Sequence, residues 1–397
     1  MNLTSAWQKN RIEGAVFEHI TLLKTATGLC TFIILACLLA AGLWPFNFFP
    51  HNKVSLSENG AIHFLEWSQA LSEKPLEAID SRTPLSINLI IKPERYSYRR
   101  VSRILSFMSG TGKEMAYIGQ WGPHLIVRNT TQPSQNHPYT EMSVRDALNS
   151  GKEVFVTVTS NDKGTIIYLN GRLAESSKSL QLTHWDTGNP RLLLGNSPDG
   201  NHPWRGSITT LSIHNTLLKM DQISKFLISV DGESDPLPGT VLHYRFEEGS
   251  EPFVDRSGSN NNLIVPDKFA PIKRRFFELS FEEFKLTHSR VSDISLNFMG
   301  FVPLGFVFSV TLLLFLSGAG RWNPILVFFT GTGISLVIET GQVFLPSRTS
   351  SMSDLILNCI GTVAGILIFE ASATSFRAGM RYQTYLSNGQ VPKDQEP

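Results

Sequence analysis

The chain has 397 residues, 35 Lys and Arg against 34 Asp and Glu, a formal net charge of +1, and 42% hydrophobic and 17% charged residues. A balance this close to neutral excludes the electrostatic footprint of a nucleic-acid binder. Its three cysteines, Cys30, Cys37 and Cys359, all fall in apolar stretches, which excludes a disulfide framework and any zinc-type Cys/His spacing.

The average composition is that of a soluble protein of two or three domains, but charge is unevenly spread. Ala26 to Trp44 and Ile294 to Leu316 are uncharged; Pro324 to Phe344 contains only Glu339; Leu355 to Phe369 lies between Asp354 and Glu370. A bilayer core about 30 Å thick needs roughly 20 helical residues, so each window can span it, the last by extending over Ala371 to Ser375. The expected organisation is a cytoplasmic N-terminus (1–24), a first transmembrane helix (25–44), a linker (45–60), an outer domain (61–270) and an interfacial segment (271–290). Transmembrane helices at 291–317, 324–344 and 354–374 and a cytoplasmic tail (375–397) complete it.

Lys9, Arg11 and Lys24 precede the first span, Arg321 lies between the second and third, and Arg377 and Arg381 follow the fourth. The bias of basic residues toward the cytoplasm then puts both termini inside and residues 45–290 outside. Lys273, Arg274 and Arg275 run against this, but long translocated domains escape the rule. Ala40-Ala41-Gly42 offers an alternative, a signal-peptidase site; against it stand the length of the apolar run and the aromatic continuation Trp44 to Phe49, suited to an interfacial anchor.

From Ala61 to about Val230 the pattern becomes short alternating runs: "PLSINLIIKP", "EVFVTVTSNDKGTIIYLNGRL", "PRLLLGNSPDG" and "WRGSITTLSIHN". Turn residues at Asn161 to Gly164 and at Asn170-Gly171 reverse the chain, so these are strands of an all-β sandwich. They resemble the laminin G / concanavalin A-like (LamG) jelly-roll family. That resemblance implies a recognition module for glycan or protein without naming its ligand. Trp121, Trp185 and Trp204 are open to two readings, sugar stacking or core filling. Asp162, Asp186, Asn196 and Asp199 fall in loops where a calcium ion would draw oxygen ligands, and turn chemistry explains them equally; no other cofactor is indicated. After "DGESDPLPGT", "VLHYRF" is expected to return and pair with the first strand near Ile62. Phe277, Phe281 and Phe284 recur at helical spacing, as in an interfacial helix or one packed on the sandwich.

Ser335, Glu339 and Gln342 share one face of the third span. Asp354, Asn358, Gly361 and Gly365 repeat the rhythm on the fourth, where Gly361 to Gly365 forms a G-x-x-x-G. The second span contributes Asn297, Gly300 and Gly305, with Pro303 as an expected kink. With the third helix running outward, Glu339 and Gln342 lie within about 7 Å of its outer end. Asp354, Asn358, Asn297 and the loop residue Arg348 converge there. Arg348 is the natural ionic partner of Glu339 or Asp354, and two readings follow: a structural clasp, or a headgroup cleft at the outer leaflet.

"WPFNFFP", "NFMGFVPLGF" and "GISLVIETGQVFLPSRTSSMSDLILNCIGTVAG" resemble the VanZ-like family, matching helix one and about residues 290–372. The resemblance carries over Asn297, Pro303, Gly305, Glu339, Gln342, Arg348, Asp354, Asn358 and Gly361. It implies a four-helix transmembrane bundle and a role in the bacterial cell envelope, since the family's namesake is linked to resistance to the glycopeptide teicoplanin, but no reaction. The departure is the jelly roll inserted between helices one and two. The reading this favours is a non-enzymatic envelope protein that binds a lipid-linked or anionic headgroup and, outside, a glycan or protein. The alternatives are an enzyme acting on a lipid-linked precursor, with Glu339 and Asp354 as acid and base, and an anchor whose function lies wholly in the sandwich.

Overall fold

The computed structural model describes residues 3–57, 60–95, 98–185, 188–228, 237–246, 253–274, 276–277, 288–316, 323–348 and 350–387. The chain divides into two compact units, Met1–Asn47 with Arg275–Pro397, and Phe48–Arg274. Its helices are α1 (Leu3–Leu43), α2 (Met220–Ile228), α3 (His288–Phe315), α4 (Asn323–Gln342) and α5 (Met352–Ser387).

The first unit is a bundle of α1, α3, α4 and α5. Each carries a stretch long and apolar enough to cross a membrane: Phe17–Leu43, Ile294–Phe315, Asn323–Gln342 and Met352–Ser375. The first helix begins at Leu3 and runs unbroken into its apolar part, so the expected N-terminal segment and first span form one element.

Residue pairings fix the helix directions. Thr31 bonds Thr311 and Gly300 faces Leu38, so α1 and α3 are antiparallel. Asn358 bonds Ser335 and Gly331 faces Thr362, so α4 and α5 are antiparallel. Gly42 faces Ile338 and Gly341 faces Leu43, which makes α1 and α4 parallel.

Between α3 and α5 the backbones touch. A Cβ on Gly361 would run into the carbonyl of Phe298, one on Gly365 into that of Val302, and one on Gly305 into that of Thr362. Lipid chains are as apolar as leucine, so helices in a membrane gain by close van der Waals approach, which small residues permit. Pro303 lies on the same helix with its ring exposed, and α3 continues through it.

The second unit is a two-sheet sandwich. Its strands begin with β1 (Ser55–Ser57), β2 (Ala61–Phe64), β3 (Ala70–Ser72), β4 (Leu85–Arg95) and β5 (Ser102–Met108). Then come β6 (Glu114–Trp121), β7 (His124–Asn129), β8 (Thr140–Val144), β9 (Val154–Asn161) and β10 (Gly164–Leu169). Last are β11 (Arg172–Ser177), β12 (Arg191–Leu194), β13 (Arg205–His214), β14 (Thr240–Arg245) and β15 (Leu263–Ile264). One sheet runs β1-β2-β13-β4-β9-β10-β11, with β14 also on β13; the other runs β15-β3-β12-β5-β6-β7-β8.

Alternation along the strands turns one face of each sheet inward, and Ile62, Phe64, Leu89, Phe107, Val158 and Trp204 are among the buried residues that fill the space between them. The Asn170-Gly171 turn has positive φ at both residues, 50° and 75°, as a two-residue hairpin requires.

Two expectations change. The "VLHYRF" strand, β14, pairs with the Thr210–His214 part of β13, while β2 pairs with Gly206–Ile208 of that strand. Strand β13 is long enough to present one edge to both, so β14 follows β2 along it without pairing to it. The segment at 272–286 is not helical where it is described: residues 271–274, 276 and 277 are irregular, and 278–287, with Phe281 and Phe284, lie outside the described residues.

Candidate functional site

The helix directions bring the C-termini of α1 and α4 and the N-terminal halves of α3 and α5 to one end of the bundle. On α4, Ser335, Glu339 and Gln342 are all buried, so the polar face read from their spacing is turned away from lipid. Glu339 is 1% exposed, and its Oε2 accepts the backbone N–H of Ser351 at 2.9 Å, just before α5 begins. The first N–H groups of a helix have no partner of their own and carry partial positive charge, so a carboxylate satisfies both needs.

The end of α1 is held by donors. Gln342 Nε2 donates to the carbonyl of Gly42 at 3.0 Å, and Arg348 Nε donates to that of Trp44 at 3.2 Å, with Nη2 3.5 Å from the carbonyl of Ala41. Asn358 Nδ2 donates to Ser335 Oγ at 2.9 Å and ties α5 to α4. Asp354 lies half-buried in the first turn of α5. Asn297 is half-buried on α3, one residue before Phe298, whose carbonyl meets Gly361.

The structure therefore gathers the sequence-predicted polar residues at one end, but through different bonds. The ion pairs among the described residues all lie in the sandwich. Arg348 bonds carbonyls rather than Glu339 or Asp354. The reason is competition: the last carbonyls of α1 need donors, and the start of α5 needs an acceptor that Glu339 supplies. Sequence reading missed Ser351 at the helix start, although Ser351-Met352-Ser353-Asp354 carries the capping spacing. The carbonyls of Ala41, Gly42 and Trp44 have no side-chain signature at all. Asn358 Oδ1 and Ser350 Oγ are buried and unpartnered within the bundle.

In the sandwich the three tryptophans separate. Trp185 and Trp204 are buried, and Trp204 donates its indole N–H to Gln120 Oε1 at 2.7 Å. Trp121 is 41% exposed. Of the calcium candidates, Asn196 and Asp199 are spent locally: Asn196 accepts the N–H groups of Ser197 and His202, and Asp199 accepts the hydroxyl of Ser197 and the N–H of Asn201. Asp162 lines a cleft of about 240 Å³ with Arg82, Asn161, Gln181, Thr183 and His184. Asp186 lies outside the described residues. Among the described residues no group of three or more His, Cys, Asp or Glu is placed to hold a metal ion.

The outer face of the second sheet carries charge at two depths, with Arg103 buried, Arg128 half-buried and Glu141 exposed. Arg103 is bonded to Glu114 at 3.0 Å and stacks on Tyr117 at 3.9 Å; Arg128 pairs with Glu141 and stacks on Tyr139 at 3.8 Å. Burial pushes His202 down to about 4, with Arg103 adding to the shift, and pushes His214 down to about 4, with His243 adding to it.

These features define a membrane protein whose four apolar helices accompany a lectin-like sandwich. The chain is VanZ-like over residues 241–373, where the VanZ/LLP1 family model matches, and concanavalin A-like over residues 70–224, where the model of the Concanavalin A-like lectin/glucanases superfamily matches. No curated protein matches the chain. Among solved structures, the chain is similar to a candidate carbohydrate binding protein from Bacteroides ovatus, with 15% identity and a TM-score of 0.39 over 55% of this chain and 62% of that one. It is also similar to the heptameric SAP-like pentraxin of Limulus polyphemus, with 16% identity and a TM-score of 0.36 over 56% of this chain and 94% of that one.

Proposed function

We propose that the protein is a multi-pass component of a bacterial cytoplasmic membrane, with both termini in the cytoplasm and residues 45–290 outside. In this reading the polar end of the bundle faces the outer leaflet and receives an anionic headgroup, and the sandwich binds a glycan of the envelope. The match to a lectin superfamily supports the second part.

The observation that carries the first part is the state of Arg348. It is exposed, its bonds go to the neutral carbonyls of Ala41 and Trp44, and it forms no ion pair among the described residues. A guanidinium anchored in this way keeps its positive field for an incoming phosphate or carboxylate, which it can meet with paired donors. The buried, capping position of Glu339 favours this binding role over acid–base chemistry on a lipid-linked precursor, because a general acid or base must reach the proton it transfers.

The test is retention of farnesyl diphosphate, a lipid diphosphate probe, by full-length protein in neutral nanodiscs, read by native mass spectrometry. Arg348→Ala is expected to weaken binding at least about tenfold, and Arg348→Lys, which keeps the charge but loses the paired donors, to restore only part of it. Equal retention by the alanine variant would remove the headgroup reading.

A further inference from the structure

Trp121 ends β6 and His124 begins β7, and the two residues face each other across the turn. Alternation along the strands sends Ala116 and Ile118 of β6 and Leu125 and Val127 of β7 into the core, which leaves Tyr117, Trp121, His124 and Arg128 on the opposite face. Nearer the middle of the sheet Tyr117 is covered by arginines, whereas at the strand ends the indole is open.

The open ring is held in place. Trp121 Nε1 donates to the carbonyl of Tyr98 at 3.0 Å; the Tyr98 ring stands edge-on to it with centroids 6.0 Å apart, and the His124 ring lies 5.6 Å away on a 38° tilt. Gly122 has φ +56°, and a Cβ there would run into the Tyr98 ring, so the turn is built around that tyrosine. Tyr98 is 61% exposed.

Polar groups flank the rings. The backbone N–H of Asp146 donates to His124 Nδ1 at 3.1 Å, so the neutral imidazole carries its proton on Nε2 as a donor. The Asp146 carboxylate lies 4.0 Å from that same Nδ1 and is 76% exposed. With its N–H already engaged, the indole offers a flat apolar face, with a donor and a charged acceptor beside it.

We propose that Trp121, Tyr98, His124 and Asp146 form a platform that stacks one pyranose residue of a glycan. The C–H face of a pyranose matches the indole, and its hydroxyl groups match an imidazole donor and a carboxylate acceptor in a way an aliphatic protein surface does not. A stacked nucleobase is disfavoured by the carboxylate at the rim and by a net charge of +1, which supplies no phosphate-attracting field. This assignment rests on the glycan reading of the sandwich and gives it an address.

The experiment is a glycan-array screen of full-length protein in detergent micelles, followed by saturation-transfer NMR with the oligosaccharides that bind. Wild-type protein is expected to retain at least one pyranose oligosaccharide. Trp121→Ala should lose binding about tenfold or more, Trp121→Phe should keep most of it, and Asp146→Asn should weaken it several-fold, all with unchanged thermal unfolding. Equal binding by wild type and Trp121→Ala would overturn the platform and leave the glycan reading to another surface. Absence of any bound oligosaccharide with wild type would overturn both.

Discussion

In the sandwich, the guanidinium of Arg103, buried to 7% exposure, is answered by the carboxylate of Glu114 and the hydroxyl of Ser106 joins the same carboxylate. In the bundle, Glu339 and Gln342 are answered by backbone groups at helix ends. The difference follows from what surrounds each unit. A sheet satisfies its own backbone along the ladder, so the side chains on its outer face are left to pair with one another. A helix leaves its terminal N–H and C=O groups orphaned, and near lipid no water relieves them, so polar side chains are drawn to those ends. Cohesion differs likewise: the sandwich is held by large apolar side chains removed from water, the bundle by glycines that let backbones meet.

The sharpest way to break this comparison is to enlarge a glycine. Gly361→Leu forces a side chain into the carbonyl of Phe298, and relief requires α3 and α5 to separate. The expected loss exceeds about 4 kcal/mol, in the range reserved for overpacked or broken interfaces. Gly333→Leu, on α4, meets nothing within 4 Å and is exposed, so it should be neutral. Resistance of the bundle to sodium dodecyl sulfate in mixed micelles reads both; a bundle equally robust in the two variants would show that close approach does not hold it.

A second effect belongs to the sandwich. His202 and His214 are kept neutral by burial, with pKa values pushed from 6.5 down to about 4. Above 6.5 neither folded nor unfolded chain binds these protons and stability is complete. As pH falls from 6.5 toward 4 the unfolded chain takes protons that the folded sandwich refuses, so stability declines, and below 4 the loss levels off. Each imidazole accounts for a loss on the order of 3 kcal/mol. Urea unfolding followed through buried Trp185 and Trp204 should move to lower urea between neutral pH and about pH 5, a window in which most carboxylates stay ionised. His214→Gln should flatten the slope; an unchanged slope would show that the histidine is not the group responsible.

How much of this was legible in the sequence depended on whether the signal was local. The four spans, the hairpin at Asn170-Gly171 and the shared face of Ser335, Glu339 and Gln342 are written in periodicity and turn chemistry, and all appear in the structure. So does the close approach at Gly305, Gly361 and Gly365. What could not be read were partners with no side-chain identity. Arg348 was expected to find a carboxylate because charges attract, yet the carbonyls of Ala41 and Trp44, anonymous in sequence, take its donors. The placement of β14 on β13 depends on the length of β13 beyond its pairing with β2, a tertiary quantity that no window of residues encodes. Trp121 could not be told from Trp185 and Trp204 by type; only its position at the end of β6 leaves it open.

The smallest expected effect makes the distinction between packing and hydrogen bonding quantitative. Thr31 Oγ1 and Thr311 Oγ1 are 2.9 Å apart across α1 and α3, a buried contact that looks as if it should hold the helices together. Both hydroxyls, however, also have carbonyl acceptors within their own helices, Thr27 at 2.9 Å for Thr31 and Val307 at 2.9 Å for Thr311. When the helices part, neither group is left bare, so the interhelical bond adds only the difference between two satisfied states. Thr31→Val preserves shape and removes the hydroxyl, and its cost should be about 0.6 kcal/mol, the average for such bonds in membrane helices. Unfolding in mixed micelles can resolve this against Gly361→Leu. A loss for Thr31→Val comparable to that of the glycine variant would mean that polar contacts, rather than backbone approach, set the stability of the bundle.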